Sequence, residues 1–227
     1  MNYERLRLFN NEILSCPFVQ RDQPPCRRVE GFSPVINELW PTQKYLIISS
    51  DPSRDTDKSK DPLVAHSNFE RRFLALLFTN SDEINICRSL RNNYSSLKKI
   101  FLTYFYWAHF CKCFSNGNPN SYCAERYLQE EIELFQPQLI IAIGGKAADF
   151  LLGPGRLIEK VNKIWQYQQD IPVICTLHPS QNWNRQKRED YFFYETWKLI
   201  RQEAKLDLED ELKTKKILEE IERGITT

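Results

Sequence analysis

Apolar residues gather in four short runs along the chain, and each run ends in a polar or glycine-containing turn. The runs are rich in β-branched and aromatic side chains, which is typical of buried parallel strands. They cover residues 45–49, 100–105, 139–143 and 173–177. Apolar positions at helical spacing lie between them, over residues 69–78, 122–135 and 146–152. This alternation predicts a single-domain α/β protein, a three-layer sandwich with a four-stranded parallel sheet flanked by helices.

The length and the net charge of the chain limit its number of domains and its mode of DNA binding. A chain of 227 residues suits one well-buried domain. We expect residues 1–203 to form the α/β domain and residues 204–227 to form a charged helical tail. The formal net charge is +1, so DNA binding would depend on local basic clusters. No apolar run reaches the length of a membrane span and the first residues lack the apolar centre of a signal peptide, so we expect a cytoplasmic protein that does not enter a membrane. The sequence leaves the oligomeric state open, and a monomer is favoured.

Two matching loops carry the candidate chemistry. The first predicted strand ends in Ser49-Ser50-Asp51-Pro52, and the fourth ends in His178-Pro179-Ser180. Ligands of open α/β sheets bind outside the carboxyl ends of the strands, so the carboxylate and the imidazole are expected to face one crevice. Asp51 is placed to orient a water or act as a base, and an Asx-turn or helix cap is its structural alternative.

These loops resemble the motifs of the uracil-DNA glycosylase superfamily. The Asp-Pro pair at Asp51 is similar to its water-activating motif, and His178-Pro179-Ser180 is similar to its second motif. Residues 139–152 resemble the strand, glycine turn and helix that lie between them. The resemblance implies a monofunctional DNA glycosylase, in which Asp51 orients the attacking water and His178 donates a hydrogen bond to the leaving base.

The resemblance also implies contacts with DNA. Ser180 is expected to contact a phosphate and Trp183 to insert into the duplex, with an exposed loop and a Trp packed on the core as the alternative. Further backbone contacts are expected from basic side chains: Lys146, Arg185, Lys187 and Arg188. Lys146 follows two glycines at a predicted helix start, where a phosphate would meet backbone N–H groups.

The base pocket departs from the uracil-specific pattern. We expect the pocket to include Ser50, Pro52 and Ser53, with Tyr104 or Phe69 stacking on the flipped base. Ser53 is smaller than the Tyr that excludes a 5-methyl group in the uracil-specific branch, and residues 102–107 contain no Asn to read the edge of uracil. The substrate is therefore expected to be uracil or a 5-substituted pyrimidine of modified phage DNA. The alternative is a catalytically silent DNA-binding module that captures modified or damaged bases.

The cysteines suggest a metal centre. The chain has seven, an odd number that argues against a disulfide framework. The iron–sulfur branches of the superfamily carry two cysteines before the first strand and two in a later loop. The resemblance therefore implies a structural four-iron, four-sulfur cluster on Cys16, Cys26, Cys113 and Cys123. Zinc on the same thiolates and four reduced cysteines without metal are the alternatives.

Overall fold

The computed structural model describes residues 2–16, 32–54, 56, 73–74, 76–78, 98–116, 119, 121–168, 170–178 and 187–204, with side chains from residue 194 onward in the last range. In chain order the elements are α1 (Tyr3–Leu14), β1 (Tyr45–Ser49), β2 (Phe105–His109), a π-helical segment (Ala124–Leu128) leading into α2 (Gln129–Phe135), β3 (Leu139–Ile143), α3 (Gly145–Leu152), α4 (Leu157–Lys160), β4 (Ile164–Tyr167), β5 (Ile171–Thr176) and α5 (Lys187–Glu203). The predicted tail, 204–227, lies almost wholly outside the described residues.

The sheet has the strand order β2-β1-β3-β5-β4. β2, β1, β3 and β5 are parallel, whereas β4 is antiparallel to β5. The predicted α/β class is confirmed, and the sheet has five strands where four were expected. β4 was missed because it is a short edge strand whose Ile164 and Trp165 are exposed, so it lacks the pattern of a buried strand.

The second predicted strand, residues 100–105, is wrong. Residues 98–104 are helical, and the strand is Phe105–His109. A short apolar run fits a buried helix as well as a strand, and the two cannot be separated by periodicity alone. Thr103 donates its hydroxyl to the carbonyl of Lys99, a bond typical of helices (2.8 Å). The correction moves the carboxyl end of the strand to His109.

Helices cover both faces of the sheet. One face packs against the helix around Phe73, the helix before β2, and Trp197 of α5. The other face packs against α1, the π-helical segment, α2 and α3. The buried residues of α1 are Leu6, Phe9, Asn10 and Ile13, and their i, i+3, i+4, i+7 spacing is that of one helix face.

The outer edge of β2 is covered by residues 32–43. Gln43 Nε2 donates to the carbonyl of Phe105 (2.9 Å), and Asn37 Nδ2 donates to the carbonyl of Trp107. The backbone N–H of Val35 donates to the carbonyl of Lys112 (2.8 Å). An uncovered edge would offer its carbonyls to another chain, so this segment completes the sheet on the side nearest Asp51.

Among the described residues, none of the helices has the length and apolar character needed to cross a membrane.

Candidate active site

A crevice forms where the strand order reverses. The chain passes from β1 outward to β2 and then back across β1 to β3, so the connections leave β1 and β3 on opposite faces. In open parallel sheets, this switch point is where ligands bind. Asp51 follows β1 by two residues, Gly144 follows β3, and His178 follows β5 by two residues. The sheet therefore brings the two predicted catalytic residues to one edge.

Asp51 is held by Ser115, a residue that belongs to none of the sequence motifs. Ser115 donates both its hydroxyl (2.7 Å) and its backbone N–H (3.1 Å) to Asp51 Oδ2. Both bonds go to the same oxygen, so among the described residues Oδ1 is the oxygen open to a water. Two donors on one oxygen also fix the plane of the carboxylate. Ser115 lies 64 residues from Asp51 in the chain, and only the tertiary structure makes it a neighbour.

The segment after β2 reaches Asp51 because the ladder between β1 and β2 continues beyond the strands. The backbone N–H of Phe110 donates to the carbonyl of Ser49 (2.7 Å), and that of Cys111 donates to the carbonyl of Ser50 (2.8 Å). Farther along, the Arg54 guanidinium lies over the ring of Phe114, 5.9 Å from its centroid. These contacts tie the loop that carries Asp51 to the segment that ends in Ser115.

His178 is largely removed from water. Burial lowers its pKa from the usual 6.5 to about 4, while the nearby carboxylate of Asp51 acts in the opposite direction and raises it. The electrostatic effect shows that the two side chains are near each other. At neutral pH the imidazole of His178 is uncharged, so it offers one N–H donor and one acceptor. A neutral donor suits an oxygen on which negative charge develops during a reaction.

A second histidine lies at this edge and was missed. His109 is the last residue of β2, is buried, and contacts Ser49 Oγ through Nδ1 (2.8 Å). The same Ser49 hydroxyl accepts a hydrogen bond from Trp107 Nε1 (2.9 Å). Burial, and to a lesser degree the charge of Lys112, lowers the pKa of His109 from 6.5 to about 3. The available signal was a histidine closing the apolar run Phe105–His109, but the strand had been placed five residues too early.

The residues around Asp51 adopt a short turn. Pro52 is buried, whereas Ser50 is half-buried and Ser53 is exposed. Ser53 Oγ accepts the backbone N–H of Thr56 (3.1 Å) and contacts its hydroxyl (2.8 Å), as a residue that caps a helical turn does. Ser53 is thus a small side chain beside Asp51, and its predicted part in the base pocket stays a prediction, as do those of Ser50 and Pro52.

Tyr104 does not belong to this edge. Its backbone carbonyl accepts the N–H of Lys44 (3.0 Å), just before β1 and β2 begin. Five residues of strand separate it from His109, about 16 Å at about 3.3 Å per residue. The prediction that Tyr104 stacks on a flipped base is therefore wrong, because Asp51 lies beyond the opposite ends of the same strands. Phe69, the other candidate, lies outside the described residues.

The predicted DNA contacts are only partly within the described structure. Lys146 is exposed in the first turn of α3, at the same edge of the sheet as Asp51. Gly144 precedes that helix with φ +85, a conformation that favours glycine. Ser180, Trp183 and Arg185 lie outside the described residues. Lys187 and Arg188 begin α5, but their side chains are not described. These DNA contacts stay predictions.

A buried ion pair supports the segment between His109 and Ser115. Lys112 donates from Nζ to Glu131 Oε2, and both side chains are almost fully buried. The hydroxyl of Tyr106 donates to the other carboxylate oxygen of Glu131 (2.7 Å). Burial first, and then the charge of Glu131, raises the pKa of Tyr106 well above its usual value. Glu131 is thus satisfied on both oxygens, as a buried carboxylate requires.

Three of the four predicted cluster ligands are described. Cys16, Cys113 and Cys123 are buried, and Cys16 and Cys123 belong to one apolar cluster that joins the end of α1 to the start of the π-helical segment. Burial first, and then the neighbouring thiol of Cys16, raises the pKa of Tyr127. Within the described ranges, no three His, Cys, Asp or Glu side chains form a group that could hold a metal ion. Cys26 lies outside those ranges; the three described cysteines have the burial expected of cluster ligands, and the four-cysteine ligand set stays a prediction.

The comparison with protein families identifies the class of this fold and site. The model of the uracil DNA glycosylase superfamily matches residues 37–201, which is more than half of the chain. The chain therefore belongs to the uracil DNA glycosylase superfamily. The match includes residues 37–43 of the segment that covers β2, all five strands and the loops with Asp51 and His178. Members of this superfamily are generally DNA glycosylases, hydrolases of base-excision repair.

Proposed function

We propose that this protein is a monofunctional DNA glycosylase that hydrolyses the bond between a flipped-out base and its deoxyribose. The observation that carries the proposal is the pairing of two groups at one edge of the sheet. Asp51 has one carboxylate oxygen held by Ser115, and His178 is neutral and close enough to be influenced by the Asp51 charge. Membership of the superfamily supports this chemistry.

The proposed step needs a water and these two side chains. The water oxygen forms a bond to the sugar C1′, the bond between C1′ and the base nitrogen breaks, and its electron pair leaves with the base. Asp51 Oδ1 orients the water and takes its proton, and its negative charge stabilises the cationic sugar. His178 donates a hydrogen bond to the base oxygen that gains negative charge. The base then takes a proton from solvent.

The proposed substrates are uracil and 5-substituted pyrimidines of modified phage DNA. The small, exposed Ser53 beside Asp51 supports a pocket that admits a 5-substituent. The base must leave the stack to reach Asp51, at a cost of a few kcal/mol. Lys146, Ser180, Trp183, Arg185, Lys187 and Arg188 are the proposed contacts with the DNA around it.

A base-release assay tests the proposal. Oligonucleotides that contain uracil, hypoxanthine, a thymine mismatch or 5-hydroxymethyluracil, together with phage DNAs that carry modified cytosine, would be incubated with the protein and treated with alkali. We expect strand cleavage on at least one substrate, and a loss of about 100-fold or more in Asp51→Asn and His178→Ala with DNA affinity retained. Binding without base release in the wild type would instead favour a silent base-capturing module.

A structural four-iron, four-sulfur cluster on Cys16, Cys26, Cys113 and Cys123 is part of the proposal. Its support is the burial of the three described cysteines on separate segments. Iron and sulfide would be measured in protein purified without oxygen, beside Cys113→Ser, Cys111→Ser and the control Cys175→Ala. Cys175 is a suitable control because burial raises the pKa of its thiol to about 12, so it stays protonated within the sheet. Equal iron in wild type and Cys113→Ser would contradict this assignment.

A further inference from the structure

We infer that β4 is an interaction surface whose partner is a second copy of this chain, paired with it strand to strand. β4 is an outer strand of the sheet, at the opposite edge from β2, which residues 32–43 cover. Ile164 and Trp165 are exposed on β4, and Ile158 is exposed on the short helix before it. These are three of the seven large apolar side chains that are exposed among the described residues. An apolar cluster on the open edge of a sheet is typical of an interaction site.

The hydrogen bonds of the sheet show which backbone groups of β4 point outward. The carbonyl of Thr176 accepts the N–H of Gly144, just after β3, so the even-numbered residues of β5 bond toward β3 (2.9 Å). The odd-numbered residues of β5 therefore bond toward β4. In the register of β4 and β5, this leaves the N–H and C=O of Ile164 and Gln166 pointing away from the sheet. Among the described residues, no other backbone group bonds to them.

The sequence of β4 does not protect this edge. Proteins usually prevent the pairing of an open edge with charged side chains, proline or a bulge on the strand. The residues of β4, Ile164–Tyr167, include neither a charged side chain nor a proline. The opposite edge differs, because side chains of Asn37 and Gln43 bond to the outward carbonyls of β2. β4 is thus the edge of this sheet that can accept a further strand.

The outward groups favour one antiparallel register for two copies. With Ile164 opposite Gln166 of the second copy, every outward N–H and C=O of both strands is paired. The same register places Trp165 opposite Trp165 of the second copy, as a pair without hydrogen bonds, where cross-strand side chains are closest. The two-fold axis then passes between the two Trp165 residues, and each copy presents the same surface to the other.

This register also brings opposite charges together. Lys163 directly precedes β4, and its ammonium lies 5.8 Å from the centroid of the Trp165 ring, on the face of the strand that Tyr167 shares. Burial first, and then the nearby carboxylate of Glu133, raises the pKa of Tyr167. Lys163 of one copy lies opposite Tyr167 of the other in the paired strands, so its cation meets an aromatic ring and the Glu133 carboxylate. Because each copy supplies both halves, the surface is complementary to itself.

The pairing keeps the two candidate active sites apart. Two five-stranded sheets would join into one, and the antiparallel pairing of β4 with its copy reverses the strand directions of the second half. The carboxyl ends of the parallel strands, with Asp51 and His178, therefore lie at opposite edges of the joined sheet. Each site is complete within its own copy, so base release does not require the dimer.

Sedimentation velocity without DNA, at about 1 to 100 μM protein, tests the inference. We expect the wild type to pass from monomer to dimer over this range, although the sequence favoured a monomer. Gln166→Pro removes an outward N–H and should weaken association by about tenfold or more. Proline is tolerated on an edge strand where the N–H faces solvent, so the monomer should stay folded. The matched control, Gln166→Thr, keeps the N–H and should associate as the wild type does. A wild type that stays monomeric, or equal association of the two variants, overturns the inference.

An exchange of charges tests the register without relying on the proline variant. Lys163→Glu and Glu133→Lys should each weaken association by about threefold or more, because each replaces an attraction with a repulsion. The double variant should recover it, since the opposite charges face each other again. A double variant that associates no better than the two single variants would overturn the pairing. Association is measured without DNA, so its absence would leave the proposed function unaffected. Equally, a dimer that releases no base would contradict only the proposed function.

Discussion

Replacing Ser115 with Ala tests whether the carboxylate of Asp51 must be held in one orientation. The variant removes the 2.7 Å hydroxyl bond to Oδ2 and keeps the 3.1 Å bond from the backbone N–H. A hydrogen bond to a charged group contributes about 1.5–3 kcal/mol. If that bond orients Asp51 for the attacking water, its loss lowers the rate of base release by about 10- to 150-fold. Substrate affinity should change little, because Ser115 acts through Asp51.

A double-mutant cycle separates this positioning role from a general loss of structure. Single-turnover base release would be measured for wild type, Ser115→Ala, Asp51→Asn and the double variant on the best substrate found. Ser115→Ala should have little further effect when Asp51 is already Asn, since the charged acceptor is gone. Ser15→Ala, an exposed serine at the end of α1, serves as the matched control. The same fold reduction in both backgrounds would refute the positioning role, because the effect would not pass through Asp51.

Three further predictions concern stability. Lys112→Met or Glu131→Leu alone should destabilise the protein by about 3–5 kcal/mol, because each leaves a buried charge unpaired. In urea unfolding, the double variant should be closer to wild type in stability. A double variant as unstable as the sum of the two single variants would contradict this prediction. Gly144→Ala should cost about 1–2 kcal/mol at its φ of +85, and Gly145→Ala, where a methyl group meets nothing within 4 Å, should be neutral or slightly stabilising in the same assay. The pKa of His109 is about 3 when folded and about 6.5 when unfolded, so between these pH values the unfolded chain holds a proton that the folded chain lacks. The free energy of unfolding should therefore fall by about 1.4 kcal/mol for each pH unit of acidification because of His109. The His109→Gln variant should lack this contribution when the free energy of unfolding is measured from about pH 6.5 to 4. The same dependence on pH in wild type and variant would argue against a buried neutral His109.

The apolar pattern and the loop motifs determined the class of fold and the two central site residues. β1 and β3 have the predicted bounds, since a buried parallel strand is a continuous apolar run that turn residues delimit. Asp51 and His178 were identifiable because each follows such a run directly. Parallel strands end at the same edge, so residues far apart in the chain could be expected to meet there.

Only the tertiary structure determined which groups contact Asp51 and which contact His109. Residues 98–104 form a helix whose buried residue, Phe101, packs against Phe73 and Phe105, and local propensity does not record that packing. The bonds from Ser115 to Asp51 and from Trp107 through Ser49 to His109 join segments 58 to 64 residues apart. Such contacts follow from how β1 and β2 align in the sheet, and strand register is a property of the folded chain rather than of either segment.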